Sequence, residues 1–329
     1  MRWREFVAGL GSVAAMASRP VAVRAQQPKR MRHVGVLTGL PEDISEVMVG
    51  AFARSLESLG WVEGENIRID HRFAAGNPTL LETSAAELVG LAPDAILAIP
   101  AAAVAALQQQ TSTIPIVFQS FPEPVELGFV QSLARPGGNI TGFTFDAALM
   151  GKWLQLLNQV APRVTRVGVL FNPDIAPSAP LYNRAIEATA PSFGMTVTLA
   201  PVHDDAEIDE AIGILAREPG GGLICPLDSF TLTHRDVIVS EAANHGVPLI
   251  GGNLAFPRAG GLMTYWPDLS DEMAKTASYI DRIFNGASPA DLPVQQPAKY
   301  LLVINLKTAK ALGLTVPPSM LDLADEVIE

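Results

Sequence analysis

The chain has 329 residues, of which 48% are hydrophobic and 17% are charged, and its formal net charge at pH 7 is −11. This composition excludes a disordered chain, and the length allows two domains that each bury a core. The negative charge, without a cluster of Lys and Arg, argues against nucleic acid or anionic lipid as a partner. The single cysteine, Cys225, excludes an internal disulfide, and its apolar neighbours predict a buried side chain.

The first 25 residues have the features of an export signal. A basic start precedes a short apolar run, and Val23-Arg24-Ala25 places small residues at positions −3 and −1 of a cleavage site before Gln26. Arg4-Glu5-Phe6-Val7 is similar to half of a twin-arginine signal, but Trp3 stands at the first arginine, so the twin-arginine and general secretory routes both stay open. We expect residues 1–25 to be a signal peptide and the mature protein to be periplasmic. An uncleaved membrane anchor and a frayed N-terminal helix are the alternatives.

From residue 33 onward, short β-branched runs alternate with helical stretches, a pattern typical of parallel α/β sheets. The first half contains a predicted helix over residues 46–59, which Gly60 ends. Its predicted strands cover residues 33–37, 66–71, 95–99 and 114–118.

The pattern is then repeated in the second half. Val167-Gly168-Val169-Leu170 matches Val34-Gly35-Val36-Leu37 at an offset of 133 residues, and Val247–Ile250 matches Ile114–Val117 at the same offset. Further strands are predicted at 223–225, 261–265 and 301–304, with helices at 271–284 and 307–312. The predicted fold class is α/β, with two similar lobes that are each a parallel sheet flanked by helices and with a cleft between the lobes.

Ligands of open α/β sheets bind beyond the carboxyl ends of the strands, and two facing lobes bring those ends to one cleft. The residues after the predicted strands combine aromatic rings, hydroxyls, amides and acids, a mixture typical of small-molecule sites. We expect the ligand-binding residues to be Thr38, Ala101, Phe121, Pro122, Glu123, Thr141, Asn172, Asp228, Phe230, Asn253 and Tyr265.

Several of these residues have a structural alternative. Asp228 could pair with a ligand amine or could cap the helix that follows it. Phe230 could equally belong to the core, and Asn172 could serve a turn. Trp266, which follows Tyr265, could be a rim residue or could pack the lobes together.

The sequence contains no signature of catalysis. Phosphate-binding loops, His-Glu-x-x-His and Gly-x-Ser-x-Gly are all missing, and the five histidines lie far apart. His203-Asp204-Asp205 precedes a predicted helix, so an aspartate there is expected to act as its cap. We therefore predict no catalytic residue, no metal and no cofactor.

Five segments carry a resemblance to one protein family: Ile114–Phe118, Arg135–Gly142, Ala259–Tyr265, Asp291–Pro297 and Leu302–Leu314. They resemble the exported substrate-binding proteins of ABC transporters in the tryptophan-binding-protein-like family. The resemblance implies a type I periplasmic-binding fold with three hinge crossings between the lobes. It also implies the solute-binding component of an ABC importer, which holds an aromatic or amino-acid-like ligand and delivers it to an inner-membrane permease. Three residues at the predicted cleft differ from the usual family pattern: Glu123, Ser229 and Trp266.

The crossings are expected near Phe143, Ala255 and Pro297. Lobe 1 would then comprise residues 33–143 plus 256–297, and lobe 2 would comprise residues 144–255 plus 298–329. We expect the protein to act as a monomer with a small-molecule ligand. The alternatives are the ligand-sensing domain of a regulator or receptor and, with less support, an exported enzyme of unknown class.

Overall fold

The computed structural model describes residues 30–329. The predicted export signal and its cleavage site lie outside the described residues. Within residues 30–329, no helix combines the length and the apolar composition that a membrane crossing requires.

Twelve strands lie within the described residues. They are β1 (Arg32–Thr38), β2 (Ile67–Phe73), β3 (Ala95–Ile99), β4 (Ile116–Pro122), β5 (Ile140–Phe145), β6 (Arg166–Phe171), β7 (Thr196–Pro201), β8 (Gly221–Cys225), β9 (Leu249–Gly251), β10 (Met263–Pro267), β11 (Tyr300–Asn305) and β12 (Glu326–Ile328).

The same part of the chain forms twelve α-helices. They are α1 (Glu42–Ser58), α2 (Pro78–Gly90), α3 (Ala101–Gln110), α4 (Leu149–Val160), α5 (Ala179–Thr189), α6 (Asp205–Ala216), α7 (Ser229–Thr233), α8 (Arg235–Asn244), α9 (Ala255–Ala259), α10 (Leu269–Phe284), α11 (Leu306–Ala311) and α12 (Pro318–Leu321).

The strands form two sheets, one in each lobe. The first sheet has the order β2-β1-β3-β4-β5, and all of its neighbours are parallel. The second has the order β12-β11-β10-β9-β8-β6-β7 and is parallel except for the β10–β11 pair. The order β2-β1-β3-β4 recurs as β7-β6-β8-β9, which confirms the internal repeat and the predicted fold of two α/β lobes.

Helices cover both faces of each sheet, which is why the central strands are almost entirely apolar. All five residues of β3 are buried, and Cys225 at the end of β8 is also buried, as predicted. Burial raises the pKa of the Cys225 thiol well above its usual range. This cysteine therefore serves as a small core residue.

The position of β10 corrects part of the expected lobe boundaries. Residues 256–297 were expected in lobe 1, but β10 pairs with β9, where Met263 lies opposite Ile250, and with β11. Only α10 then packs on the first lobe, against α1, β4 and β5. The second crossing therefore follows Pro267 rather than Ala255, because a strand belongs to the sheet that supplies its hydrogen-bonding partners.

The first and third crossings lie beside the second crossing, and the three together form the hinge. The first follows the end of β5 at Phe145, two residues later than expected. The third follows Gln295, whose carbonyl accepts a hydrogen bond from the Thr144 N–H at 2.9 Å, after which the chain returns to lobe 2 at β11. Lobe 1 thus consists of the first sheet with α1, α2, α3 and α10.

Candidate functional site

A cavity of about 510 Å³ lies between the two lobes. Lobe 1 contributes the first turns of α1, the ends of β4 and β5, and the start of α10. Lobe 2 contributes the loops after β8 and β9, with α8, α9 and the end of β10. The carboxyl ends of the strands thus face this space, as the topology requires of a ligand site in α/β sheets.

Aromatic rings form the wall of the cavity nearest the hinge. The ring of Trp266 meets that of Phe145 edge to face at 4.9 Å between centroids, and Trp153 lies behind Trp266 at 6.0 Å. Phe143 completes this wall. Because Phe145 and Trp266 stand at the first and second crossings, this wall is part of the hinge itself.

Polar side chains lie at the lobe 1 end of the cavity. Gln119 and Ser120 belong to β4, and Glu272 lies in the first turn of α10. The Gln119 side-chain amide donates a hydrogen bond to Glu272 Oε2 at 3.3 Å. Burial, which outweighs the opposing effect of Lys275, raises the pKa of Glu272 to about 7. The cavity therefore combines an aromatic wall with a buried acid.

An irregularity in β4 lies at this polar end. The pairing of β4 with β5 shifts between Gln119 and Phe121, which leaves Ser120 as the extra residue of a bulge. Ser120 has a φ of 75°, in the left-handed region that residues with a side chain rarely adopt. Such strain is concentrated at functional sites, and here it adjoins the cavity.

The lobes touch each other across the mouth of the cleft. Arg235 of α8 lies 2.7 Å from the Asp43 carboxylate of α1, and Arg184 of α5 binds the Glu126 carboxylate of lobe 1 through two hydrogen bonds of 2.7 and 3.0 Å. The Thr233 hydroxyl also approaches the Ala75 carbonyl at 3.5 Å. The structure therefore shows the lobes in a closed arrangement.

A second, much smaller cavity of about 10 Å³ lies between the start of α3 and the loop after β8. Asp228, Ala101 and Phe121 line it. Asp228 is buried, and both of its oxygens accept backbone hydrogen bonds: Oδ1 from Thr231 at 2.8 Å and Oδ2 from Asn172 at 3.1 Å. Burial raises its pKa to about 6. Asp228 is thus a cap of α7 that also fixes the loop after β6.

The residues expected to bind the ligand are distributed over several places. Asn253 lines the cavity of about 510 Å³, while Ala101, Phe121 and Asp228 line the cavity of about 10 Å³. The other seven line neither of the two: Thr38, Pro122, Glu123, Thr141, Asn172, Phe230 and Tyr265.

Most of those seven have a structural contact. The Thr38 hydroxyl pairs with that of Ser45 and shapes the entry to α1. Thr141 donates to the Leu292 carbonyl at 2.6 Å, and Asn172 accepts from the Asp174 N–H. Phe230 stacks on His234, and Tyr265 stacks on Tyr300. Pro122 and Glu123 lie at the cleft end of β4, where Glu123 has a φ of 52°.

The residues that the sequence reasoning missed are chiefly Gln119, Glu272 and the α1 residues at the mouth. The sequence pattern could have identified Glu272 as a candidate site residue, because it occupies the buried face of α10 with Met273, Thr276 and Ile280. An acid in an apolar helical stripe is rarely there for packing alone. No sequence pattern identified Gln119 as a candidate, since it lies just beyond the predicted end of its strand.

One group of potential metal ligands lies within residues 30–329. Atoms of Asp209, Glu241 and His245 fall within 4.8 Å of one another. None of the three lines either cavity, and Asp209 and His245 are exposed. The group is an ordinary cluster of surface charges.

Comparison with known proteins connects this geometry to transport. Residues 33–328 match the family model described as ABC transporter substrate binding protein. A curated relative, the tyrosine-binding protein of Clostridioides difficile, is 25% identical over 286 residues, which cover 87% of this chain and 82% of the relative.

Two solved structures are also similar to this chain over most of its length. A conserved domain protein from Vibrio cholerae is 26% identical, with a TM-score of 0.84 and coverage of 91% of this chain and 100% of the other. The ABC domain in complex with L-Trp from Streptococcus pneumonia is 25% identical, with a TM-score of 0.83 and coverage of 90% and 99%. The resemblance to the type I periplasmic-binding fold is confirmed, and the chain belongs to the family of ABC transporter substrate binding proteins.

Proposed function

We propose that the protein is the periplasmic solute-binding component of an ABC importer. It binds one small organic ligand between its lobes as a monomer and delivers that ligand to a permease in the inner membrane. The basic start, apolar run and small-residue cleavage pattern of residues 1–25 support export. Ligand contacts to both lobes would favour the closed state, which is the state that a transporter distinguishes from the empty protein.

The observation that carries the proposal is the cavity of about 510 Å³ with walls from both lobes. Its size falls within the range of about 300–1,000 Å³ that small-molecule sites occupy. The Trp266 and Phe145 rings offer a surface for a flat apolar group, while Asn253, Gln119 and Glu272 offer polar contacts. The ligand is therefore an aromatic or amino-acid-like molecule, in agreement with the L-Trp complex and the tyrosine-binding relative.

Native purification and calorimetry test this proposal. Mass spectrometry should detect one small molecule released from protein purified without refolding, and titration with L-Trp, L-Tyr, L-Phe, L-Leu and L-Glu should show saturable binding with one site. Trp266→Ala should weaken binding by about tenfold or more, because it removes the central aromatic contact. Trp61→Ala, which changes a tryptophan that packs on Phe284 outside the cavity, is the matched control and should leave affinity unchanged. The proposal fails if no amino acid binds and no small molecule is released.

A further inference from the structure

Two buried acceptor oxygens at the polar end of the cavity have no donor. Glu272 Oε1 and Gln119 Oε1 make no hydrogen bond within residues 30–329, and the two residues are 6% and 1% exposed. Buried polar atoms are almost always paired in folded proteins, since an unpaired one loses its bonds to water without replacement. Two acceptors are therefore without a hydrogen bond at this end of the cavity. Lys275 Nζ is a further buried atom there without a hydrogen bond, although it lies beside the Asp271 carboxylate.

The cationic side chains near the cavity do not supply the missing donors. Lys275 stands 3.8 Å from Glu272 Oε1, beyond hydrogen-bond distance, and lies 2.6 Å from the Asp271 carboxylate. Arg235 is engaged with Asp43, and Arg258 is engaged with Glu326. A molecule that enters the cavity can supply a donor for these oxygens.

We propose that Glu272 and Gln119 together form the recognition site for a protonated amine of the ligand. An ammonium group carries three N–H donors and a positive charge, so it can donate to both a carboxylate oxygen and an amide oxygen. The aromatic wall formed by Phe143, Phe145 and Trp266 then receives the apolar body. The ligand class is a cationic amine with an aromatic or apolar body. This inference rests on the proposed function, because it assigns a role within the same cavity.

Three indole probes separate the amine from the rest of the ligand. L-Tryptophan carries an amine and a carboxylate, tryptamine carries the amine alone, and indole-3-propionate carries the carboxylate alone. Calorimetric titration of the wild-type protein should show tighter binding of the two amines than of indole-3-propionate. Glu272→Gln keeps the shape of the side chain but removes its charge, and it should weaken the binding of both amines about tenfold or more. The affinity for indole-3-propionate should stay unchanged or rise.

Two further variants make the test independent of folding effects. Gln119→Met removes the second acceptor at similar volume and should weaken the amines alone. Glu187→Gln makes the same chemical change at an exposed glutamate of α5 that does not line the cavity, and it should change none of the three affinities. A thermal melt of each variant identifies any loss of fold.

The outcomes distinguish this inference from the proposed function. An equal loss for all three probes in Glu272→Gln, or wild-type affinity for indole-3-propionate that matches the amines, overturns the amine site and leaves the binding function intact. Failure of all three probes to bind overturns the aromatic ligand class of the proposed function and the amine site with it.

Discussion

Asp228 is expected from the sequence either to pair with a ligand amine or to cap a helix, and the structure distinguishes these two roles. It lies at the junction of the lobes, where the sequence places it, and it lines the smaller cavity. Both carboxylate oxygens are occupied by the N–H groups of Thr231 and Asn172. A side chain that is fully engaged in this way positions two loops and has little capacity left for a ligand amine. The structure thus favours the capping alternative for Asp228.

The capping role predicts a large effect on stability. Asp228→Ala removes the cap of α7 and leaves two buried N–H groups without acceptors, so the free energy of unfolding should fall by about 2–3 kcal/mol. Asp204→Ala is the matched control, because Asp204 caps α6 from an exposed position and accepts one N–H, from Glu207. The free energy of unfolding should fall less in Asp204→Ala than in Asp228→Ala. Urea unfolding of both variants measures the difference, and equal losses would show that burial of Asp228 adds nothing.

Glu272 predicts a pH dependence of stability in the ligand-free protein. Burial raises its folded-state pKa from 4.5 to about 7, so the folded protein binds the proton more tightly than the unfolded chain does. Lowering the pH from 7 to 5 should therefore stabilise the fold, by about 2 kcal/mol from this group. Asp271 favours the protonated form in the same way, whereas Lys275 and Gln119 oppose it.

Comparison with Glu272→Gln isolates this contribution. Asp228, with a pKa raised to about 6, acts in the same direction over the same range, and it is present in both proteins. Urea unfolding at pH 5 and pH 7 should show a smaller gain at low pH for Glu272→Gln than for the wild type. If the free energy of unfolding rises equally in the two proteins, the pKa of the Glu272 carboxyl is not raised in the folded state.

The elements near the site illustrate what the sequence could establish. The β3 strand was predicted at its observed bounds, because Pro93 and Pro100 enclose a continuous apolar run. The repeat predicted the equivalence of β1 with β6, since each places the same Val-Gly-Val-Leu pattern under helices. Local patterns of this kind specify a strand and its burial.

Other features depend on contacts that no local pattern contains. The β4 strand continues past Phe118 to Pro122 because β5 pairs with it through a bulge, and this extension is what places Gln119 and Ser120 at the cavity. Similarly, β10 joins lobe 2 because its neighbours are β9 and β11. The sequence predicted the cleft and its general chemistry, but tertiary pairing decides which side chains line it.

Closure of the two lobes depends on their close approach near Gly39. This glycine follows β1 in lobe 1, and Ser229 of lobe 2 faces it across the cleft. A Cβ atom at position 39 would lie 2.9 Å from Ser229 Oγ, which is closer than such atoms are found. Contacts of this kind exist only when the lobes are closed, so they affect the closed state and leave the separated lobes unchanged.

Gly39→Ala should therefore shift the population toward the open state and weaken ligand binding, by a small factor because rotation of the Ser229 hydroxyl relieves part of the contact. With L-tryptophan as the probe, the variant should bind less tightly than the wild type, and its radius of gyration in small-angle scattering at equal probe concentration should be larger. The added methyl meets only the end of the Ser229 side chain on the other lobe, so Gly39→Ala/Ser229→Ala should recover much of the lost affinity. Gly138→Ala, where a Cβ meets nothing within 4 Å, should behave like the wild type. Closure through this contact would be refuted if Gly39→Ala bound and compacted as the wild type does, or if removal of the Ser229 hydroxyl restored nothing.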